Sequence, residues 1–144
     1  MKKPLGYILG QTKRVYSNKL LARFKENNVE LGLDLFIILF HIELNDEVTQ
    51  QLLADSLQKD KSIVMRQINS LIDKEYVVRL WNKKDKRKKN LVLTKKGHEI
   101  LATMKTLGIS VSDELLSGVN KEDQNAFERV IEIILKNGSS GEKD

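Results

Sequence analysis

The stretch Asp60-Lys61-Ser62-Ile63-Val64-Met65-Arg66-Gln67-Ile68-Asn69-Ser70-Leu71-Ile72-Asp73-Lys74 decides how the chain is read. Asp60 is an N-cap candidate, because its carboxylate can accept a backbone N–H of the first turn. With about 100° of rotation per residue, Lys61, Ser62, Met65, Arg66 and Asn69 share one arc of the helix, and Ile63, Val64, Ile68 and Leu71 share the other. The apolar arc can pack on a neighbouring helix. The polar arc offers donors and two cations. Gln67 intrudes on the apolar side and Ile72 on the polar side. An Arg such as Arg66 can pair bidentately with guanine, and Asn69 with adenine. Lys61 and Ser62, near the helix N-terminus, suit phosphate.

The neighbours of this helix complete a motif. Upstream, Thr49 is a second N-cap candidate, followed by a short amphipathic helix with Leu53 and Leu57 four residues apart. Downstream, residues 76–81 are β-branched and aromatic and predict a strand. Residues 82–89 are all polar, and 90–93 predict a second strand, so the two form a β-hairpin. Two short helices and a charged hairpin make a winged helix-turn-helix. Trp81, at the base of the hairpin, is expected to pack.

Charge follows the same map. The 144 residues hold 25 Lys+Arg and 20 Asp+Glu, a net charge of only +5. Residues 1–58 carry 7 basic and 7 acidic side chains, residues 59–96 carry 13 and 4, and residues 97–144 carry 5 and 9. A block of +9 between a neutral and an acidic segment is the footprint of a polyanion-binding face. Its densest part is the hairpin tip, Asn82-Lys83-Lys84-Asp85-Lys86-Arg87-Lys88-Lys89-Asn90, with six cations and one carboxylate. Such charges repel one another, so the tip contributes little to stability. A narrow minor groove attracts an inserted Arg, and Asp85, two residues before Arg87, can hold that guanidinium in a fixed pose. Lys84, Lys86 and Lys88 are the accompanying phosphate contacts.

Outside this core, apolar residues at three- and four-residue spacing predict a long helix over 4–27, with Pro4 at its first turn. Residues 33–44 read as a buried helix, with a β-strand as the competing assignment. A short strand is expected near Val48. Thr94 caps a long helix through Leu115 that contains Gly108, and Gly118 suits the stop after it. Asn120 caps a last helix with Phe127, Val130, Ile131, Ile134 and Leu135 on one face. Residues 138–144 have nothing to bury and are expected to be a loose tail.

Composition excludes much. The longest apolar run, residues 35–40, is far short of the ~20 residues that cross a bilayer, so no membrane partner is expected. No apolar stretch follows the basic start, so no secretory signal is visible and a cytoplasmic location is the expectation. With no cysteine, disulfides, thiolate zinc sites and cysteine redox sensing are excluded. His41 and His98 are too few and too isolated for a metal site. No nucleophile–base pair or phosphate loop is present, so neither catalysis nor a cofactor is expected.

The conjunction of Asp60-Lys61-Ser62-Ile63-Val64-Met65-Arg66, Leu71-Ile72-Asp73-Lys74, Val77-Val78-Arg79, Asp85-Lys86-Arg87 and Leu91-Val92-Leu93-Thr94-Lys95-Lys96-Gly97 resembles the multiple-antibiotic-resistance regulator (MarR) family over roughly residues 5–136. The resemblance implies a mainly α fold with a small β-hairpin wing, in which the winged helix-turn-helix is flanked by N- and C-terminal dimerisation helices. It implies one domain over 1–137, with a DNA-binding lobe over 33–93 and dimerisation helices over 4–27 and 94–136. It further implies a bacterial homodimer, a regulator and in the main a repressor, that binds pseudo-palindromic double-stranded DNA. By position, Ser62, Met65 and Arg66 would face the major groove, and Arg87 would enter the minor groove supported by Asp85. A small aromatic or anionic ligand is implied for a cleft between the dimerisation helices and the DNA-binding lobe. Tyr16 and His41 are its candidate residues.

Three positions depart from the family pattern. Met65 stands where a small polar residue is usual, which makes base contact there apolar. Glu75 stands where Gly is usual; a left-handed glutamate would cost of order 1 kcal/mol, so a turn of different shape is the expectation. The cysteine through which many relatives sense oxidants is missing. A protein-interaction module, whose basic wing binds an acidic protein and whose helix reads no DNA sequence, is the alternative of a different class.

Overall fold

The computed structural model describes residues 1–139. It contains α1 (Leu5–Glu26), α2 (Leu33–Leu44), α3 (Gln50–Leu57), α4 (Lys61–Asp73), β1 (Val77–Trp81), β2 (Lys89–Leu93), α5 (Lys95–Leu115) and α6 (Lys121–Ser139). The chain divides into two units, Met1–Val111 and the segment from Ser112 onward.

In the first unit, α1 buries Leu20 and Phe24, one helical turn apart. α2 buries Ile38, Leu39 and Ile42, and α4 buries Val64, Ile68 and Leu71. These side chains join Leu53, Val77, Leu91, Leu101 and Met104 in one core. Each fully buried Leu, Ile or Phe contributes about 1.5–3 kcal/mol of transfer free energy. Phe24 meets Phe36 edge to face, with ring centroids 5.9 Å apart.

β1 and β2 pair antiparallel, from Val77 opposite Leu93 to Trp81 opposite Lys89. The strand expected near Val48 does not form. Residue 48 accepts from Leu91 N–H at 2.7 Å, and its side chain is buried in the core.

Three helices end in the same way. After α1, α3 and α4 a residue with positive φ (Asn28 at 58°, Gln58 at 50°, Glu75 at 65°) reverses the chain. Each reversal carries two bonds back to the last turn. For Glu75 these are Glu75 N–H to Ile72 O and Tyr76 N–H to Leu71 O, both 2.9 Å. This is the Schellman arrangement, usually built on glycine. The altered turn expected at Glu75 is therefore not adopted: the glutamate takes the left-handed conformation itself.

Two close contacts fix where α5 begins. Thr94 Oγ1 accepts from Gly97 N–H at 2.9 Å and donates to Glu75 O at 2.6 Å. A Cβ on Gly97 would lie 2.1 Å from Tyr76 O, so only glycine permits this approach. Farther along α5, Tyr16 Oη donates to Gly108 O at 3.2 Å.

In the second unit, Gly118 (φ 85°) makes the turn that precedes α6. Asn120 Oδ1 accepts from Asp123 N–H at 2.8 Å, and Glu122 and Asp123 place negative charge in the first turn of α6. No residue of α6 is buried. The helix runs to Ser139, two residues into the segment expected as a tail; 140–144 lie outside the described residues.

Candidate nucleic-acid interface

α4 starts as its sequence requires. Asp60 Oδ1 accepts from the backbone N–H of Ser62 at 2.7 Å and from its hydroxyl at 2.6 Å. The Ser62 hydroxyl, then the Ser62 N–H, then the nearby Arg66 charge hold the Asp60 carboxyl below the usual carboxylate range. Beyond this cap, Lys61, Ser62, Met65, Arg66 and Asn69 are all exposed on one side of the helix, while Val64, Ile68 and Leu71 are buried on the other. Ile63 breaks the expected division. It sits at the edge of the apolar arc and is 43% exposed, because α4 buries a narrower stripe than its apolar residues span.

The wing tip is built on Asn82, which is buried. Its Oδ1 accepts the N–H groups of Lys84 (2.8 Å) and Asp85 (3.0 Å), and its own N–H donates to Lys88 O at 2.9 Å. These bonds hold a loop of like charges in one shape. Asp85 in turn accepts from Arg87 three times: Oδ1 from the backbone N–H (3.0 Å) and from Nε (3.1 Å), and Oδ2 from Nη2 (3.4 Å). The Arg87 side chain is 91% exposed, against 30% for Asp85. A half-covered carboxylate thus anchors a guanidinium that projects into solvent. Those bonds, the side-chain ones first, lower the Asp85 pKa. Lys84, Lys86 and Lys88 are exposed around it.

Not every cation of the basic block projects outward. Lys96 donates to Lys74 O at 3.1 Å and lies over the Tyr76 ring, and Lys59 pairs with Asp34 at 3.6 Å. Trp81 was expected to pack, yet it is 62% exposed, with the Lys89 ammonium 4.6 Å from its ring centroid. It lines a cavity of about 460 Å³ between the wing and the start of α3, together with Thr49, Arg79, Arg87 and Lys88. Arg79, absent from the expected site, reaches from β1 to α4, where its Nη2 donates to Asn69 Oδ1 at 2.9 Å. A signal for it was available: Val77, Arg79 and Trp81 share one face of a period-two strand, and Val77 is buried.

Of the two ligand candidates, Tyr16 is bonded to α5 and His41 is half-buried on α2. Neither lines the cavity of about 650 Å³ between α1, the start of α2 and α4, whose walls include Leu21, Leu33, Ile63, Arg66 and Gln67. Gln67 is the polar residue that interrupted the apolar arc; its Oε1 is buried without a hydrogen-bond partner.

This geometry has known counterparts. A sequence profile described as MarR family matches residues 36–88, the span from α2 through the wing tip. A MarR transcriptional regulator from Methanosarcina mazei Go1 superposes with a TM-score of 0.83 at 25% identity, over 94% of this chain and 96% of that one. The chain is similar to MarR-family regulators in sequence over residues 36–88 and in fold over most of its length. An HTH-type transcriptional regulator of Bacillus subtilis (strain 168), YybA, itself uncharacterized, is 22% identical over 90% of this chain and 85% of its own length. The fold also matches the transcriptional repressor CouR bound to a 23-mer DNA duplex, with a TM-score of 0.80 at 23% identity, over 92% of each chain. These similar proteins are described as transcriptional regulators, and CouR is seen on DNA. Among the described residues no helix is long and apolar enough to cross a membrane, and no cluster of three metal-ligating side chains occurs.

Proposed function

We propose that the chain is a homodimeric repressor, acting in the cytoplasm, that binds pseudo-palindromic operators and releases them when a small ligand binds. The observation that carries this reading is the pairing of an N-capped helix, exposed at Ser62, Met65, Arg66 and Asn69, with a wing whose Arg87 is clamped by Asp85. An exposed ion pair of that kind adds little to stability, whereas a pre-oriented guanidinium is what a narrow minor groove selects. In this reading residues 33–93 form the DNA-binding lobe. Ser62, Met65, Arg66 and Asn69 read the major groove, Lys61 and the wing lysines Lys84, Lys86 and Lys88 neutralise phosphates, and Arg87 enters the minor groove. Repression has a parallel in CouR, a repressor of similar fold seen on a DNA duplex.

Dimerisation is supported by helix faces that water would not leave uncovered. On α6, Phe127, Val130, Ile133 and Leu135 are each at least 52% exposed, and on α1 Tyr7 and Val15 are each at least 51% exposed. A second copy covering the helices of 4–27 and 94–136 explains both. For the ligand, the cavity of about 650 Å³ combines apolar walls with the Arg66 guanidinium, a setting for a small aromatic anion. A molecule paired with Arg66 there would withdraw that side chain from DNA.

Mass measurement in solution tests the dimer. The free protein should have twice the 16.5 kDa mass of the chain, and one duplex should bind two chains. A monomer that binds DNA one to one would contradict the reading.

A further inference from the structure

One face of the wing changes character along its length. Across β1 and β2, Val77 pairs with Leu93, Arg79 with Leu91 and Trp81 with Lys89. Paired residues put their side chains on the same face of an antiparallel ladder. That face therefore runs from a buried apolar end, Val77 and Leu93, to an exposed indole and ammonium, Trp81 and Lys89. The cavity of about 460 Å³ lies where its outer end stands across from the first turn of α3. Leu91 N–H, bonded to Val48 O at 2.7 Å, ties the two walls together just below it.

Four cations line this cleft, Arg79, Arg87, Lys88 and Lys89, and no carboxylate does. Arg87 and Lys88 are also part of the basic wing tip, so the cleft is continuous with that surface. Trp81, the only tryptophan in the chain, stays largely in water there although its ring is apolar. The Lys89 ammonium over the ring holds it in place. A surface that alternates cations with an apolar ring carrying one N–H donor complements a sugar–phosphate backbone, which alternates anionic acceptors with apolar sugar faces.

We propose that the cleft seats one strand of the DNA backbone beside the minor groove that Arg87 enters, with Trp81 packed on a deoxyribose and Lys88 and Lys89 on the adjoining phosphates. The proposal rests on the reading of the wing as a DNA-binding element. Sugar and phosphate contacts carry no base identity, so Trp81 supplies affinity and register and leaves sequence preference to α4.

The test uses the full-length protein and a duplex that it enriches from a random pool. As the only tryptophan, Trp81 reports on its own surroundings. Saturating duplex should shift its emission and shield it from acrylamide quenching. Trp81→Ala, checked first for an unchanged melting profile, should weaken binding about tenfold, the worth of a partly buried aromatic ring. It should leave the slope of log K against log salt unchanged, because an indole releases no counterion. Trp81→Phe should restore most of the affinity, and Lys89→Ala should reduce the slope by about 1. Emission and quenching that the duplex leaves unaltered, wild-type affinity or a lowered salt slope in Trp81→Ala, or a response to poly-glutamate and not to duplex would overturn the proposal. The role of the wing tip, read separately from Arg87→Ala, would stand. Failure of the wild-type protein to enrich any duplex would overturn both.

Discussion

Glu75→Gly should make this protein more stable. Glu75 sits at φ 65°, where an L side chain is crowded against its own backbone. That conformation costs a non-glycine residue of order 1–2 kcal/mol. Every bond at this turn uses backbone atoms of residue 75: its N–H to Ile72 O at 2.9 Å, and its carbonyl accepting from Thr94 Oγ1 at 2.6 Å. Glycine keeps all of them. Against the relief stands the greater freedom of glycine in the unfolded chain, about 0.4–1 kcal/mol. The balance is a gain of about 0.5–1 kcal/mol, or a rise in Tm of about 2–4 °C for a chain of this size. Glu75→Ala separates the two effects, because alanine retains the Cβ and the strain, and its stability should stay within about 0.5 kcal/mol of wild type. Urea unfolding at one fixed protein concentration, with m unchanged, measures all three. The reasoning fails if Glu75→Gly is no more stable than wild type.

Gly97→Ala should do the opposite at the same junction. Its Cβ would meet Tyr76 O at 2.1 Å, prising α5 from the start of β1 and costing about 2–3 kcal/mol; an unchanged Tm would show that the approach is looser than described. Arg87→Ala should weaken binding to every DNA sequence and reduce the slope of log K against log salt by about 1, while Arg66→Ala should also relax base preference. Equal affinity of both variants and wild type for a selected operator at fixed salt would refute those roles. The carboxyls of Asp60 and Asp85 are depressed in the folded state, so their stabilisation is present above the ordinary value of 3.8 and lost as pH falls through the lower folded-state values. Unfolding curves of wild type and Asp85→Asn should accordingly differ at neutral pH and converge in strong acid; a gap that persists at the acid end would count against the bonds to Arg87 as its source.

Much of the architecture was legible because local chemistry and tertiary packing agree. The caps at Thr49, Asp60, Thr94 and Asn120 all accept the expected backbone N–H. The starts of α3, α4, α5 and α6 follow from them, each one residue after its cap. Legibility failed where a position obeys a distant neighbour. Nothing local in Gln58 or Glu75 announces a left-handed residue; the turn is dictated by the backbone bonds it closes. Nothing local in Gly97 announces the Tyr76 O that lies against it. Ile63 and Trp81 were assigned to the core by residue type, but α4 and the wing each have more apolar residues than the core has room for. In the candidate site, the support of Arg87 by Asp85 was legible because both partners lie two residues apart. The Arg79–Asn69 bond was not, since it joins residues ten apart on different elements.

The central claim is that two copies of this chain read DNA through α4 and the wing. Selection of binding sites from a random duplex pool by the purified protein tests it most directly. The account predicts an enriched pseudo-palindrome with half-sites about one helical turn apart, near 10 base pairs centre to centre. An asymmetric single half-site, or a pool left unenriched, would contradict it.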